Sequence, residues 1–331
     1  MFNIRRSIFV LAVMSVLFVC HSSASTLGED FSTDPSVRGW KVYGDASLFH
    51  WDSLNQNVQV TWDSSLPNSY FYRPLGNVLA KDDDFALEFD IRLSDIATNA
   101  KSGPAEIAVG FLNFAEATSP NFWRDTGLDP VHGPRDLVEI DYFPAGYYPE
   151  FGPVSPSFSP SIVSSNDAFA SGFALLEMTT NDLFHIRLSY SGTNQTLSTV
   201  MTRNGEPFGP IGDVVLDTNF TDFRVDTVAI CSYSDIGDSY DSVLAHGEVD
   251  NLLVTMPPLP VGTVVGAWTN NQWLVQFSTR TNWLYTLERT GDFQSWTSAS
   301  ASTAGTGSNL TLQDTNPPGV GAFYRIRAQR P

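Results

Sequence analysis

The run Asp136-Leu137-Val138-Glu139-Ile140-Asp141-Tyr142-Phe143 holds the residues whose types and spacing best suit chemistry. Read with the two-residue period of a β-strand, Val138, Ile140 and Tyr142 point to one side, and Glu139 and Asp141 to the other. Two carboxylates about 7 Å apart on one strand face repel each other unless water, a cation or a polar ligand separates them. Such a pair can line a cleft, hold a metal ion or work as an acid and a base. Hydrolysis with retention at a glycosidic bond needs two carboxyls about 5–5.5 Å apart. Glu139 and Asp141 are the candidate catalytic residues for that reading. Asp136 falls on the opposite face by parity, and Glu150 lies beyond a loop containing proline.

The elements that position this pair are β-strands. Alternation marks Val58-Gln59-Val60-Thr61-Trp62, the stretch 85–93, and Phe184-His185-Ile186-Arg187-Leu188-Ser189-Tyr190. Clusters such as Ser191-Gly192 and Asn204-Gly205 separate the strands. Only Asn181 to Leu183 and Glu116 to Asn121 read as single helical turns, so the strands pair antiparallel in a sandwich or barrel. Pro257, Pro258 and Pro260 cannot continue a ladder and mark residues 256–262 as a stiff linker. Beyond it, residues 263–331 carry a second, smaller set of strands, with 297–308 reading as a loop rich in Ser, Thr, Ala and Gly.

Residues 1–24 have the pattern of a signal peptide: Arg5 and Arg6, an apolar run from Ile8 to Val19, then Ser22-Ser23-Ala24. The apolar run is shorter than the roughly 20 residues of a membrane span. An exported protein without membrane insertion is expected, placed outside the cell or in its envelope. Of two cysteines, Cys20 leaves with the leader, so Cys231 has no partner for an internal disulfide and reads as a small core residue. The net charge of −18 becomes −20 once Arg5 and Arg6 are removed. Such a surface repels nucleic acid and suits neutral polymers or cations. No pattern sets the oligomeric state.

The large segment resembles the concanavalin A-like lectin/glucanase jelly rolls, including laminin-G-like and pentraxin-like modules. Val138-Glu139-Ile140-Asp141 looks like the carboxylate strand of legume-type lectins and like the opening of the laminarinase-type catalytic strand. The stretches 184–205, 225–230 and 247–254 resemble the hairpin and closing strands of such modules. Residues 263–331 are similar to small β-sandwich tails of secreted bacterial proteins. The resemblance implies an all-β chain: a large antiparallel jelly-roll sandwich over 25–255, then a small immunoglobulin-like β-sandwich. Where the laminarinase-type strand carries its second glutamate, this chain has Phe143 and Pro144. The expectation is therefore a carbohydrate-binding protein that does not cleave its glycan. The alternatives are a glycoside hydrolase or polysaccharide lyase with a displaced acid, and a structural or adhesive envelope module.

For sugar binding, aromatic faces stack on pyranose C–H surfaces while carboxylates take hydroxyls. Glu139, Asp141, Phe143, Tyr147, Tyr148 and Trp123 are the expected ligand-binding residues. Calcium, a hard cation that takes oxygen ligands, has three candidate places. One is Glu139 with Asp141, as the lectin resemblance implies. Another is the loop containing Asp235, Asp238 and Asp241, and the third joins Glu29 or Asp30 near the first strand to Asp250 near the last.

Overall fold

The computed structural model describes residues 24–98, 106–124, 135–144, 146–148, 152–165, 168–218, 220–234, 243–319 and 321–331. Numbered along the chain, the strands begin with β1 (Ser25–Glu29), β2 (Lys41–Tyr43), β3 (Phe49–Asp52), β4 (Asn57–Asp63) and β5 (Ser69–Ala80). Next come β6 (Phe85–Thr98), β7 (Ile107–Leu112), β8 (Leu137–Phe143), β9 (Gly146–Tyr148), β10 (Gly152–Val154) and β11 (Ser157–Val163). Then follow β12 (Phe169–Ser171), β13 (Phe184–Ser191), β14 (Thr196–Arg203), β15 (Glu206–Phe208), β16 (Val214–Val215), β17 (Arg224–Ser232) and β18 (Val243–Met256). The C-terminal part holds β19 (Val261–Thr269), β20 (Gln272–Thr279), β21 (Leu284–Thr290), β22 (Thr297–Ser298), β23 (Thr303–Ala304), β24 (Asn309–Asp314) and β25 (Phe323–Gln329).

One large sheet runs β15-β14-β13-β6-β18-β4-β3, with β1 added beside β18 and β16 beside β14. The second runs β12-β11-β8-β7-β17-β5-β2. The order departs from chain order, with β6 between β13 and β18 and β8 between β7 and β11, all antiparallel. The fold is all-β, a large antiparallel jelly-roll sandwich. Alternation explains each layer: in β13, Phe184, Ile186, Leu188 and Tyr190 face the core, while His185, Arg187 and Ser189 face out. Trp62, Phe89, Phe111 and Phe158 are among the largest side chains wholly enclosed. Burying each such ring contributes about 1.5–3 kcal/mol.

The central strands β7, β8 and β11 of the second sheet are buried on both faces. The outer side of this sheet carries an apolar cluster of its own, built from Tyr70, Leu112, Leu137, Cys231 and Tyr233 and capped by Ala117 and Phe122. Cys231 is buried there, and enclosure pushes its thiol well above the ordinary range. The segment after β7 forms this cover, starting with a single helical turn, α1 (Phe114–Ala117). The turn begins earlier than the sequence suggested, because the Asn113 side chain accepts from the Glu116 N–H at 3.3 Å and caps it. The other expected turn, Asn181 to Leu183, is not helical: Asn181 sits at φ 67, and its N–H goes to the Leu93 carbonyl of β6. Two 3₁₀ turns, Pro35–Arg38 and Ala46–Leu48, carry Asp34 and Asp45 as caps instead.

The C-terminal part is a small two-layer unit, β19-β20-β24 against β21, which pairs with β25, β22 and β23. Val275, Phe277, Trp283, Tyr285, Leu287 and Leu312 fill it. The stretch 297–308 is not simply a loop. Its strands β22 and β23 pair with β21, helped by the N–H groups of Ala299 and Ser300 on the Leu287 carbonyl.

Candidate functional site

Glu139 and Asp141 share the outer face of β8, opposite Ser161 and Ser159 of β11 and opposite Gly110 and Ala108 of β7. Small neighbours on both sides leave room above the strand, and Arg124 fills it. The Arg124 Nε donates to Glu139 Oε1 in a short contact, and Nη2 donates to Asp141 Oδ2 at 2.9 Å and to Ser161 Oγ at 3.3 Å. Glu106 stands 3.7 Å from the same guanidinium. Tyr233 donates its hydroxyl to Glu139 Oε2 at 2.7 Å, and Ser161 donates to Asp141 Oδ2 at 2.5 Å. Arg135 Nη1 holds the backbone carbonyls of Trp123 and Arg124, both at 3.0 Å, and so fixes the segment that carries the plug.

The trough expected around Glu139 and Asp141 is therefore closed. Each carboxylate is 1% exposed, and so is Arg124. The correction has a simple cause: strand parity sets which face a side chain takes, whereas the segment 113–124 folds over that face from outside the strand. Burial drives the Glu139 carboxyl up to about 7, although Arg124 opposes the shift. Burial likewise raises Asp141 against the same guanidinium. A carboxyl that keeps its proton near neutrality is often a catalytic acid. Here the carboxyl is enclosed and held by Arg124 and Tyr233 as part of an ion cluster.

The same geometry answers the calcium expectation at this pair. A guanidinium occupies the place between the carboxylates where a cation would sit, so these residues do not fit a metal ion. Asp141 Oδ1 meets no donor among the described residues. At the third candidate place, Glu29 is consumed by Trp40 Nε1 at 3.0 Å, the Phe31 N–H at 3.1 Å and Arg38 at 3.1 Å. Asp30 is exposed and accepts from Ser32 and Arg38, while burial raises Asp250. Among the described residues no three His, Cys, Asp or Glu side chains are grouped to hold a metal ion. Asp235, Asp238 and Asp241 lie outside the described residues, as do Glu150 and the side chains of Tyr147 and Tyr148. Phe143 and Trp123 are half-buried at the margin of the closed face.

Gly110 is required where β7 passes β8. A Cβ built there would lie 2.3 Å from Glu139 Cβ and 2.6 Å from the Val138 carbonyl. Gly110→Ala is expected to cost about 1–3 kcal/mol by overpacking. A shift of the urea midpoint reads this, and an unmoved midpoint would contradict so close an approach of the strands.

An open polar groove lies instead on the outer face of the first sheet. It has a volume of about 470 Å³ and is lined by Asn55, Asn57, Asp90, Arg92, Leu183, Glu248, Asp250 and Asn251. Glu248 faces Arg92 across the β18–β6 ladder, and Asp250 faces Asp90. Asn57 Nδ2 donates to Glu248 Oε2 at 2.8 Å, and Arg92 stands 3.6 Å from Glu248 Oε1. Beyond Asp250 the register with β6 shifts, and Asn251, at φ 50, turns its amide onto Asp90 Oδ2 at 2.8 Å. His185 Nδ1 lies 2.7 Å from the other Asp90 oxygen. The sequence did carry a signal for this place: Glu248 and Asp250 repeat the spacing of Glu139 and Asp141. Sequence reasoning read that stretch as a closing strand and took only Asp250 from it, as a calcium candidate.

No family model matches the chain. No curated protein matches either. Solved structures do. Peanut lectin with a nine-residue peptide is 12% identical, covering 70% of this chain and 98% of the lectin, with a TM-score of 0.42. Lectin I from Ulex europaeus, in complex with the methyl glycoside of α-L-fucose, is 15% identical over 71% of this chain and 98% of its own, with a TM-score of 0.44. Lectin II from Ulex europaeus is 11% identical over 70% and 98%, with a TM-score of 0.45. Overlap at this level leaves the ligand to be argued from this chain's own side chains.

Proposed function

We propose that this chain is an exported, non-catalytic carbohydrate-binding protein that takes its glycan in the groove on the outer face of the first sheet. One observation carries the reading: amides, carboxylates and a guanidinium converge on a half-open space of about 470 Å³. That volume lies within the range of ligand sites, roughly 300–1,000 Å³. Amide and guanidinium donors next to carboxylate acceptors match the hydroxyls of a sugar ring, each of which both donates and accepts. Asn57 and Gln59 hold Glu248 in place before any ligand arrives, which lowers the cost of ordering it. Export rests on the leader pattern of residues 1–24. The hydrolase and lyase alternatives lose their support at Glu139 and Asp141, which lie under Arg124.

The test is a glycan array read with the full mature chain. Asn251→Gly keeps the left-handed backbone while removing the amide, and Arg92→Ala removes the one guanidinium in the groove. Each is expected to weaken binding about tenfold, the worth of one or two good polar contacts. Retention unchanged in both variants would remove the groove from the proposal. Release of reducing ends or unsaturated products from a polysaccharide panel would overturn the non-catalytic part. Failure to bind any glycan would leave the structural or adhesive module standing instead.

A further inference from the structure

The C-terminal unit carries aromatic rings that its own core does not use. Phe293 is 60% exposed and Phe323 is 50% exposed, yet their centroids are 4.0 Å apart. Trp296 lies 6.4 Å from Phe293, and the Arg325 guanidinium sits over the Trp296 ring at 4.1 Å. Local chemistry fixes this display. Thr290 Oγ1 accepts from the Phe293 N–H at 3.0 Å, and Asp292 Oδ1 accepts from the Gln294 and Ser295 N–H groups, both at 2.9 Å. The turn holds Phe293 at φ 60, a left-handed conformation that a bulky side chain rarely adopts. An exposed apolar ring is thus kept outward at a conformational cost.

Charge gathers beside the rings. In β25 the outward residues are Phe323, Arg325, Arg327 and Gln329. Buried Glu288 of β21, directly opposite Arg325, receives Arg325 Nε at 2.8 Å and Arg327 Nη1 at 3.5 Å. Two half-exposed arginines share the one buried carboxylate of Glu288, so each keeps donors turned to solvent. The chain as a whole is polarised the same way. Residues 263–331 hold five arginines against three acidic residues, Arg280 and Arg330 being paired with Asp83 of the large sandwich, while residues 25–262 hold 33 acidic against 11 basic residues. A polyanion is repelled far less by this unit than by the large sandwich.

From this juxtaposition we infer that the outer face of β21 and β25 is a second binding site, for an acidic polysaccharide. Phe293, Phe323 and Trp296 stack on pyranose faces, and Arg325 and Arg327 pair with uronate carboxylates or sulfate esters. Carboxylate and sulfate share the planar or tripodal acceptor geometry that a guanidinium matches, so the probes separate the two sources. The site is independent of the groove on the large sandwich.

Affinity electrophoresis of the full mature chain tests it, with polygalacturonate, dextran sulfate, neutral dextran and polyglutamate as probes. Retardation is expected with polygalacturonate or dextran sulfate, decreasing as salt rises, and not with dextran or polyglutamate. The double variant Phe293→Ala with Phe323→Ala is expected to raise the dissociation constant about tenfold or more. Arg327→Gln does the same without touching the rings, and serves if the double variant misfolds. Arg92→Ala in the other groove leaves this retardation unchanged. No retardation by either acidic polysaccharide, equal retardation by polyglutamate, or wild-type behaviour of the ring and arginine variants would each overturn the inference.

Discussion

Replacing Arg124 by Met is expected to destabilise the large sandwich by about 3–5 kcal/mol, the usual cost of leaving buried charge without its partner. Three carboxylates, Glu106, Glu139 and Asp141, face that one guanidinium. Without it they can stay buried only by binding protons. The loss, measured from urea unfolding, should therefore be larger at pH 8 than at pH 5. A second substitution, Glu139→Gln, should return part of the stability to Arg124→Met, because it removes one of the unpaired charges. If Arg124→Met unfolds at the wild-type midpoint, the plug contributes nothing.

The wild-type chain has its own pH dependence at this cluster. The Glu139 carboxyl is raised in the fold to about 7 from an ordinary 4.5. A raised carboxyl favours the folded state fully below about pH 4.5, and that contribution declines as pH rises through about 7. Glu139→Gln should flatten the stability profile across that window. A profile of the same slope in both proteins would show that the proton sits elsewhere.

The second large effect is expected at Asp83, which joins the two sandwiches. Buried Asp83 takes Arg280 Nη2 at 2.6 Å on one oxygen and Arg330 in a short contact on the other. Arg280 reaches on to Asn77 Oδ1 at 3.2 Å and the Pro258 carbonyl at 3.3 Å, and Asn282 donates to Asp82 at 2.8 Å. Arg330 also takes the Val78 carbonyl at 3.2 Å. Asp83→Ala leaves two arginines at the joint without their shared acid, a cost of about 3 kcal/mol. The wild type should unfold in one transition, while the variant should show two, with faster proteolysis between Pro257 and Pro260. A single unshifted transition in Asp83→Ala would mean that the sandwiches are coupled some other way.

Particular residues mark how far the sequence was legible. Period-two alternation was enough for β4, β6 and β13, because a strand with one buried face writes that face into every second residue; in β8 the alternation of type survived although both faces are buried. It failed at 297–308, where β22 and β23 have no apolar pattern and form only because β21 offers an edge. It also failed for the open groove, whose lining comes from four separate stretches: the turn at Asn55, β6, Leu183 and the irregular part of β18.

The sequence by itself determined that Glu139 and Asp141 stand on one side of a strand, since backbone geometry alone sends alternate side chains the same way. Only the tertiary structure decided that this side is shut. A long-range fold brings Arg124 from one loop and Tyr233 from another onto the two carboxylates, and no local rule of spacing encodes that meeting.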